Sequence, residues 1–344
     1  MNTSLSQNIT FVRPEYFYIS GFSDIPNSKY YFILFIFIYI IAVCGNLTVL
    51  FMIFTEKTLH SPKNLGIFNL ALADFGETNA LIPNMLKTFL SDSPYISYEA
   101  CLANMFFVFF FVCGQTLTLT ALAYDRFVAI CLPLRYHAIV THSFMTAVIT
   151  AIWSFNAVVI STMVGLITRL SFCKTNDIKS FFCDHGPVYR LACNDFSPNS
   201  FFTVACMVLY LYIPLIAIFL SYLGIISALI RITTWEARLK SLKTCASHLI
   251  VVGIFFLPTL GTYMAAITTF LHPNARIINT SLSMTISPML NPIIYVLSTK
   301  EFKGVIVKMF KKKSNINPQA QIFTSNTVLQ PNSVLIGMTQ FFKT

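Results

Sequence analysis

An all-α membrane protein is the fold class this sequence predicts: a bundle of seven transmembrane helices followed by a short amphipathic eighth helix. Composition is the first reason. Hydrophobic residues make up 56% of the chain and charged ones only 10%, against about 25% charged in ordinary soluble domains. A soluble protein built this way would have too little polar surface. The second reason is seven apolar stretches, at about 30–54, 65–90, 100–122, 147–167, 201–230, 249–270 and 277–297, each near the roughly 20 residues that a spanning helix needs. The third is the way the apolar run 106–123 stops at an adjacent acid and base, Asp125-Arg126. Either charge at the bilayer centre costs roughly 2.5–3.5 kcal/mol or more, so the pair marks a membrane face.

The elements follow in order. Residues 1–28 are polar and lack the compact apolar core and small-residue cleavage site of a signal peptide, so the first helix is expected to insert itself and leave this segment extracellular. Asn2 and Asn8 begin Asn-x-Thr/Ser sequons there and are the glycosylation candidates; the sequons at Asn46 and Asn279 fall inside helices and should be unused. With the N-terminus outside, Lys57, Lys63, Arg126, Arg135, Arg231, Arg238, Lys240, Lys243 and the lysines of 300–313 face the cytoplasm. The net charge of +10 then reports topology and attraction to anionic lipid. No basic patch interleaves with stacking aromatics, which argues against nucleic-acid binding.

Pro62 is placed to open the second helix, where its missing N–H is harmless. Asp74 lies inside that helix, with Glu77 one turn later on nearly the same face. A carboxylate in mid-membrane is a functional-site hypothesis by default, and Asn46 and Asn291 are its natural partners. In the third helix Cys101 precedes Arg126 by about 37 Å, slightly more than the hydrocarbon thickness. Four of the nine cysteines, Cys101, Cys173, Cys183 and Cys193, fall on the outer side, where three pairings are open. The other five lie in or near helices, and none follows Cys245, so the tail lacks a palmitoylation site. Pro214 interrupts the fifth helix. In 300–313, Phe302, Val305, Ile306, Met309 and Phe310 are spaced for one apolar face, with lysines opposite, as suits a helix on the inner leaflet. Residues 314–344 are rich in Asn, Gln, Ser and Thr and read as a disordered cytoplasmic tail.

Particular words in this chain carry a family resemblance. Ala123-Tyr124-Asp125-Arg126 with Val128-Ala129-Ile130-Cys131 resembles the end of the third helix in rhodopsin-like (class A) G-protein-coupled receptors, in the form carried by the odorant (olfactory) receptor branch. Leu59-His60-x-Pro62, Phe181-Phe182-Cys183-Asp184, Leu191-Ala192-Cys193, Ser221-Tyr222, the string from Lys240 to His248, and Pro288-Met289-Leu290-Asn291-Pro292-Ile293-Ile294-Tyr295 resemble that branch as well. The likeness runs from Leu59 to Tyr295. The chain departs from it at Lys63-Asn64, where Met-Tyr is usual, and at Phe127 and Phe256, where Tyr is usual.

The resemblance implies a receptor in which a small odorant within the bundle favours a state that engages a stimulatory, olfactory-type G protein and raises cyclic AMP, at the plasma membrane of olfactory cilia. It pairs Cys101 with Cys183 and Cys173 with Cys193, tying the second outer loop over the pocket. It assigns the switch to Asp125, Arg126, Tyr222, His248, Asn291, Pro292 and Tyr295, with His248 as a latch between the third and sixth helices. It implies no cofactor beyond a sodium ion, with Asp74, Asn46 and Gln115 as its candidate site. If Arg126 faces the bundle interior, helical spacing gives Val108, Phe111, Val112 and Gln115 as pocket residues, joined by Cys206, Tyr210, Phe256, Thr259, Tyr263 and Met284. Glu77 is a candidate polar anchor at the pocket floor, and Asp184, His185 and Arg190 are loop groups within a ligand's reach. Val108 stands where amine receptors carry an acid, which disfavours amine ligands. A non-olfactory small ligand on the same fold is the nearest alternative. A transporter would show internal repeats and charges along a path, and a membrane enzyme a His-Glu-x-x-His or Gly-x-Ser-x-Gly motif; neither is present, and the chain does not read as an enzyme.

Overall fold

Residues 12–23, 25, 27–90, 94–231, 234–268, 273–299 and 301–308 are described in the computed structural model of the chain. Asn2, Asn8 and everything from Met309 onward lie outside them. Seven long helices follow one another: α1 (Ser28–Thr55), α2 (Pro62–Leu90), α3 (Tyr98–Cys131), α4 (His142–Thr168), α5 (Ser197–Arg231), α6 (Trp235–Thr268) and α7 (Pro273–Ser298). Among the described residues five of them, α1, α3, α4, α5 and α6, are long and apolar enough to cross a membrane by composition alone. The other two carry the polar groups of the core, Asp74 and Glu77 in α2 and a run of Ser, Thr and Asn in α7.

Local chemistry sets the ends. Pro62 is the first residue of α2, Ser97 Oγ accepts from the Ala100 amide at 3.3 Å to cap α3, and Thr141 Oγ1 accepts from the Phe144 amide at 3.1 Å to cap α4. Two helices outrun by far the apolar stretches that announce them. α3 continues through Asp125-Arg126 to Cys131 and α6 begins at Trp235, because backbone hydrogen bonding carries on past the lipid boundary where the residues, such as Glu236, Arg238 and Leu239, are good helix formers. In α5 the irregularity sits just ahead of Pro214, as a π-helical stretch at Val208–Tyr212. Proline cannot donate to the carbonyl one turn earlier, and the wider turn absorbs that loss.

Outward faces are apolar, with Phe37, Phe54, Val158 and Phe201 all exposed, as acyl chains require. Inward faces mix large apolar side chains with buried polar ones. Gly45 lets α1 approach α7, since a Cβ there would stand 2.9 Å from Cγ of Pro292. At the Cys101 end a three-stranded sheet closes the bundle in the order β2-β1-β3, from β1 (Tyr16–Ile19), β2 (Tyr95–Ser97) and β3 (Asp177–Ile178). β1 is antiparallel to β2 with Phe17 opposite Ile96, and parallel to β3 with Ile19 opposite Ile178. The first compact unit ends at Ser298. In the second, residues 301–308 are helical, with Lys303 and Lys308 exposed and Phe302 buried.

Candidate functional site

The loop between α4 and α5 is bonded twice. Cys183 is joined to Cys101 of α3, with Cα atoms 5.4 Å apart, and Cys173 to Cys193, 5.8 Å apart. The first bond fixes the loop at the head of α3, and the Asn104 side chain adds to it by accepting from the Cys183 amide at 3.2 Å. Beneath the loop lies a cavity of about 380 Å³ bounded by α3, α5, α6 and α7. Its walls include Val112, Cys206, Tyr210, Phe256, Thr259 and Met284. Phe182, Asp184, His185 and Arg190 of the loop face the same space. Tyr210 is held by α4, its hydroxyl donating to Asn156 Oδ1 at 3.0 Å, while the Asn156 amide donates to the Phe110 carbonyl at 2.5 Å.

Three residues expected in the pocket face elsewhere. Val108 is fully buried in an apolar cluster with Phe22, Phe181 and Phe182. Phe111 packs its ring against Trp153, 6.1 Å between centroids, and against the bare Cα of Gly76. Gln115 donates to Glu77 Oε2 across the α2–α3 contact. The face of α3 that lines the cavity is instead Phe109, Val112, Cys113 and Thr116, one residue on, which is a rotation of about 100°. The physical reason is the second membrane carboxylate. Glu77 is buried and must be hydrogen-bonded, so it draws Gln115 toward α2 and turns the next residue to the cavity. Glu77 is therefore not a polar anchor at the pocket floor. The side chain of Tyr263 lies outside the described residues.

Deeper in the bundle Asn291 Nδ2 donates to Asp74 Oδ2 at 2.9 Å. Asn46 does not bond Asp74; its amide donates to the carbonyls of Ala42 and Pro288, each at 2.9 Å. It thereby joins α1 to the proline-broken part of α7. Buried oxygens remain on Asp74 (Oδ1), Asn46 (Oδ1), Asn291 (Oδ1) and Gln115 (Oε1) with no hydrogen-bond partner among the described residues. Such a set of hard oxygen donors suits a small hard cation. Nearby, Trp153 Nε1 donates to Asn69 Oδ1 at 2.6 Å and Asn69 donates to Thr118 at 2.8 Å, linking α4, α2 and α3.

At the far end of α3, Arg126 pairs with the adjacent Asp125 at 3.2 Å. Asp125 also accepts from the hydroxyl of Tyr136, in the connection to α4, at 2.8 Å. His248 of α6 does not bond Arg126. Its Nε2 lies 3.2 Å from the Leu119 carbonyl of α3 and its Nδ1 2.9 Å from the Tyr222 hydroxyl of α5, so three helices meet at one imidazole. The departure at Phe127 has a place too, since its ring packs on Gly224 of α5. Pro292 sits against α1 at Gly45, and Tyr295 is buried.

The profile of the olfactory receptor family matches residues 35–313. The chain belongs to the olfactory receptor family. Human olfactory receptor 1M1 is 34% identical over 301 residues, covering 86% of this chain and 95% of its own; rat olfactory receptor 1 is 32% identical, covering 88% and 96%. Among solved structures, squid rhodopsin superposes with a TM-score of 0.66 at 19% identity, covering 85% of this chain and 88% of its own, which shows the fold. The chain is thus a multi-pass, rhodopsin-like G-protein-coupled receptor of odorant type, not an enzyme, with a small molecule and a G protein as its partners.

The loop of this olfactory receptor carries two titratable groups at the cavity. Asp184 caps the helical turn His185–Tyr189, accepting from the Gly186 amide at 3.4 Å. Burial pushes its carboxyl above the usual range, opposed by that amide and by the nearby Arg276 and Arg190. His185 is buried with Nδ1 3.0 Å from Thr203 Oγ1. Burial lowers its pKa to about 4, against a weaker pull from the Met163 carbonyl, so the imidazole is neutral at pH 7. Arg276, on the first turn of α7, lines the cavity and had no signal in the sequence beyond being a cation in a polar stretch.

Proposed function

We propose that this receptor binds an odorant in the cavity beneath the Cys183 loop and activates a stimulatory, olfactory-type G protein, raising cyclic AMP. The observation that carries the reading is the cavity itself, about 380 Å³, with a largely apolar surface, several hydroxyls and charged groups on its loop side, within the range of small-molecule sites. The ligand acts through its differential affinity for two states of the bundle. In the one described, His248 bridges α3, α5 and α6, and Arg126 is engaged by Asp125. In the other, α6 moves away from Leu119, and Arg126, released, meets the G protein. The prolines of α7, Pro288 and Pro292, leave that helix able to repack around Asn291 and Tyr295. A sodium ion at Asp74, with the side-chain oxygens of Asn46, Asn291 and Gln115 as its candidate partners, would supply positive charge to the polar core; Gln115 gives its amide N–H to Glu77 and leaves its Oε1 without a partner among the described residues.

The N-terminus would lie outside, with glycans at Asn2 and Asn8, the 300–313 helix on the inner leaflet, and the protein in the plasma membrane of olfactory cilia. The test is cyclic AMP in cells displaying the receptor, challenged with a panel of acids, esters, alcohols, aldehydes and amines. A dose-dependent rise with a stimulatory G protein supports the reading. Silence across the panel with full surface staining, together with a response through an inhibitory G protein, would overturn it.

A further inference from the structure

We infer that the cavity selects amphiphiles with a negatively charged head, a carboxylate at the end of an apolar body, and that Arg276 is the group that recognises the head. The inference rests on the cavity being the ligand site. It begins with charge. Three cations line the loop side of the cavity, Lys179, Arg190 and Arg276, against one carboxylate, Asp184. Asp184 is already turned inward on its own backbone, accepting from the Gly186 amide, and Arg190 lies over the Tyr189 ring, 5.9 Å from its centroid. Arg276 feels the charge of Asp184 but is not bonded to it. It is half-buried, it faces the cavity, and among the described residues its side chain makes no hydrogen bond or ion pair.

A guanidinium partly out of water with no hydrogen-bonded counter-charge is an unfavourable arrangement by itself. A carboxylate entering the cavity would correct it, because its two oxygens match the planar fork of Arg and both groups gain charge-assisted bonds. The rest of the space suits the rest of such a molecule. Val112, Phe256 and Met284 give an apolar wall away from the loop, where the body of the amphiphile is buried. An ammonium head would meet three like charges against the one carboxylate of Asp184. An ester or alcohol of the same length would fill the apolar part and leave Arg276 as it is.

The experiment uses the whole receptor in lipid nanodiscs and reads its thermal unfolding with decanoate, methyl decanoate, decanol and decylamine, for the native chain, Arg276→Gln and Arg276→Lys. Decanoate should stabilise the native receptor at about tenfold to hundredfold lower concentration than the ester or alcohol, and decylamine least of all. Arg276→Gln should remove that advantage while leaving the ester unchanged, and Arg276→Lys should keep part of it. Equal stabilisation by acid and ester in the native chain overturns the inference, with no variant needed. So does an acid advantage that survives Arg276→Gln, or stabilisation by none of the four. Cyclic AMP in cells is the separate check on the receptor reading: an acid that stabilises the protein without raising cyclic AMP leaves Arg276 recognition standing and refutes the coupling.

Discussion

The two ends of this bundle are held by different physics. At the Cys101 end the chain is fixed by two disulfides, a three-stranded sheet and interlocked rings, among them Phe17 on Phe172 at 5.3 Å and Phe22 on Phe181 at 6.2 Å. At the Arg126 end the helices are joined by a small apolar cluster, Val128, Val140 and Met145, and by single polar contacts: Tyr136 to Asp125, Tyr222 to His248, His248 to the Leu119 carbonyl. Covalent bonds and packed aromatics define one arrangement and resist leaving it. Single hydrogen bonds, each worth about 1 kcal/mol net, can be exchanged for others at little cost. A receptor needs both, a container whose shape is constant and a switch with two settings of nearly equal energy.

The sharpest way to break this comparison is to weaken each end in turn. Cys101→Ser should cost about 2–4 kcal/mol, read as a large fall in thermal stability and in surface display. Tyr136→Phe, at the other end, should cost about 1 kcal/mol or less. Equal losses would mean that the ends are not differently built. Acid should also act on the loop end. The folded value of about 4 for His185 lies below its ordinary 6.5, so between those pH values the unfolded chain binds more protons and stability falls as pH drops, by up to roughly 3 kcal/mol. Asp184, raised by burial, works in the opposite direction. Thermal unfolding of His185→Gln against the native receptor from pH 7 to pH 4 isolates the histidine part, and parallel curves would refute it. The smallest effect is at the switch. Tyr222→Phe removes one bond to His248 and should raise ligand-free cyclic AMP about fivefold; unchanged basal signal at matched surface staining would count against His248 as a latch.

The bundle was legible because lipid imposes it. Spans that must satisfy their backbone without water leave long apolar runs; Asp125-Arg126 marks where α3 leaves the lipid, ahead of the helix end at Cys131, and Pro62 marks where α2 begins. The sheet was not legible, since Tyr16–Ile19 is only four residues and its partners lie at Tyr95–Ser97 and Asp177–Ile178, far along the chain. The cavity was legible in part. Cys206, Tyr210, Phe256, Thr259 and Met284 line it, because α5, α6 and α7 have plain inward faces. On α3 almost every residue is apolar, so spacing alone cannot choose between Val108 and Phe109. The choice was made by a pair on two helices, Gln115 with Glu77, and a pairing between helices is not written in the periodicity of either. Arg276 was missed for a similar reason, since a lone cation at a helix start looks solvated until the loop is folded over it.

The claim that joins the two ends is that ligand bound under the Cys183 loop is felt at Arg126. Its most direct test is cyclic AMP in cells displaying the native receptor or Arg126→Ala at matched surface staining, with ligand-induced thermal stabilisation measured on both purified proteins. Stabilisation by ligand should be the same in the two, while the dose-dependent rise in cyclic AMP is present in the native receptor and absent in Arg126→Ala. A cyclic AMP response that survives Arg126→Ala unchanged would contradict the account.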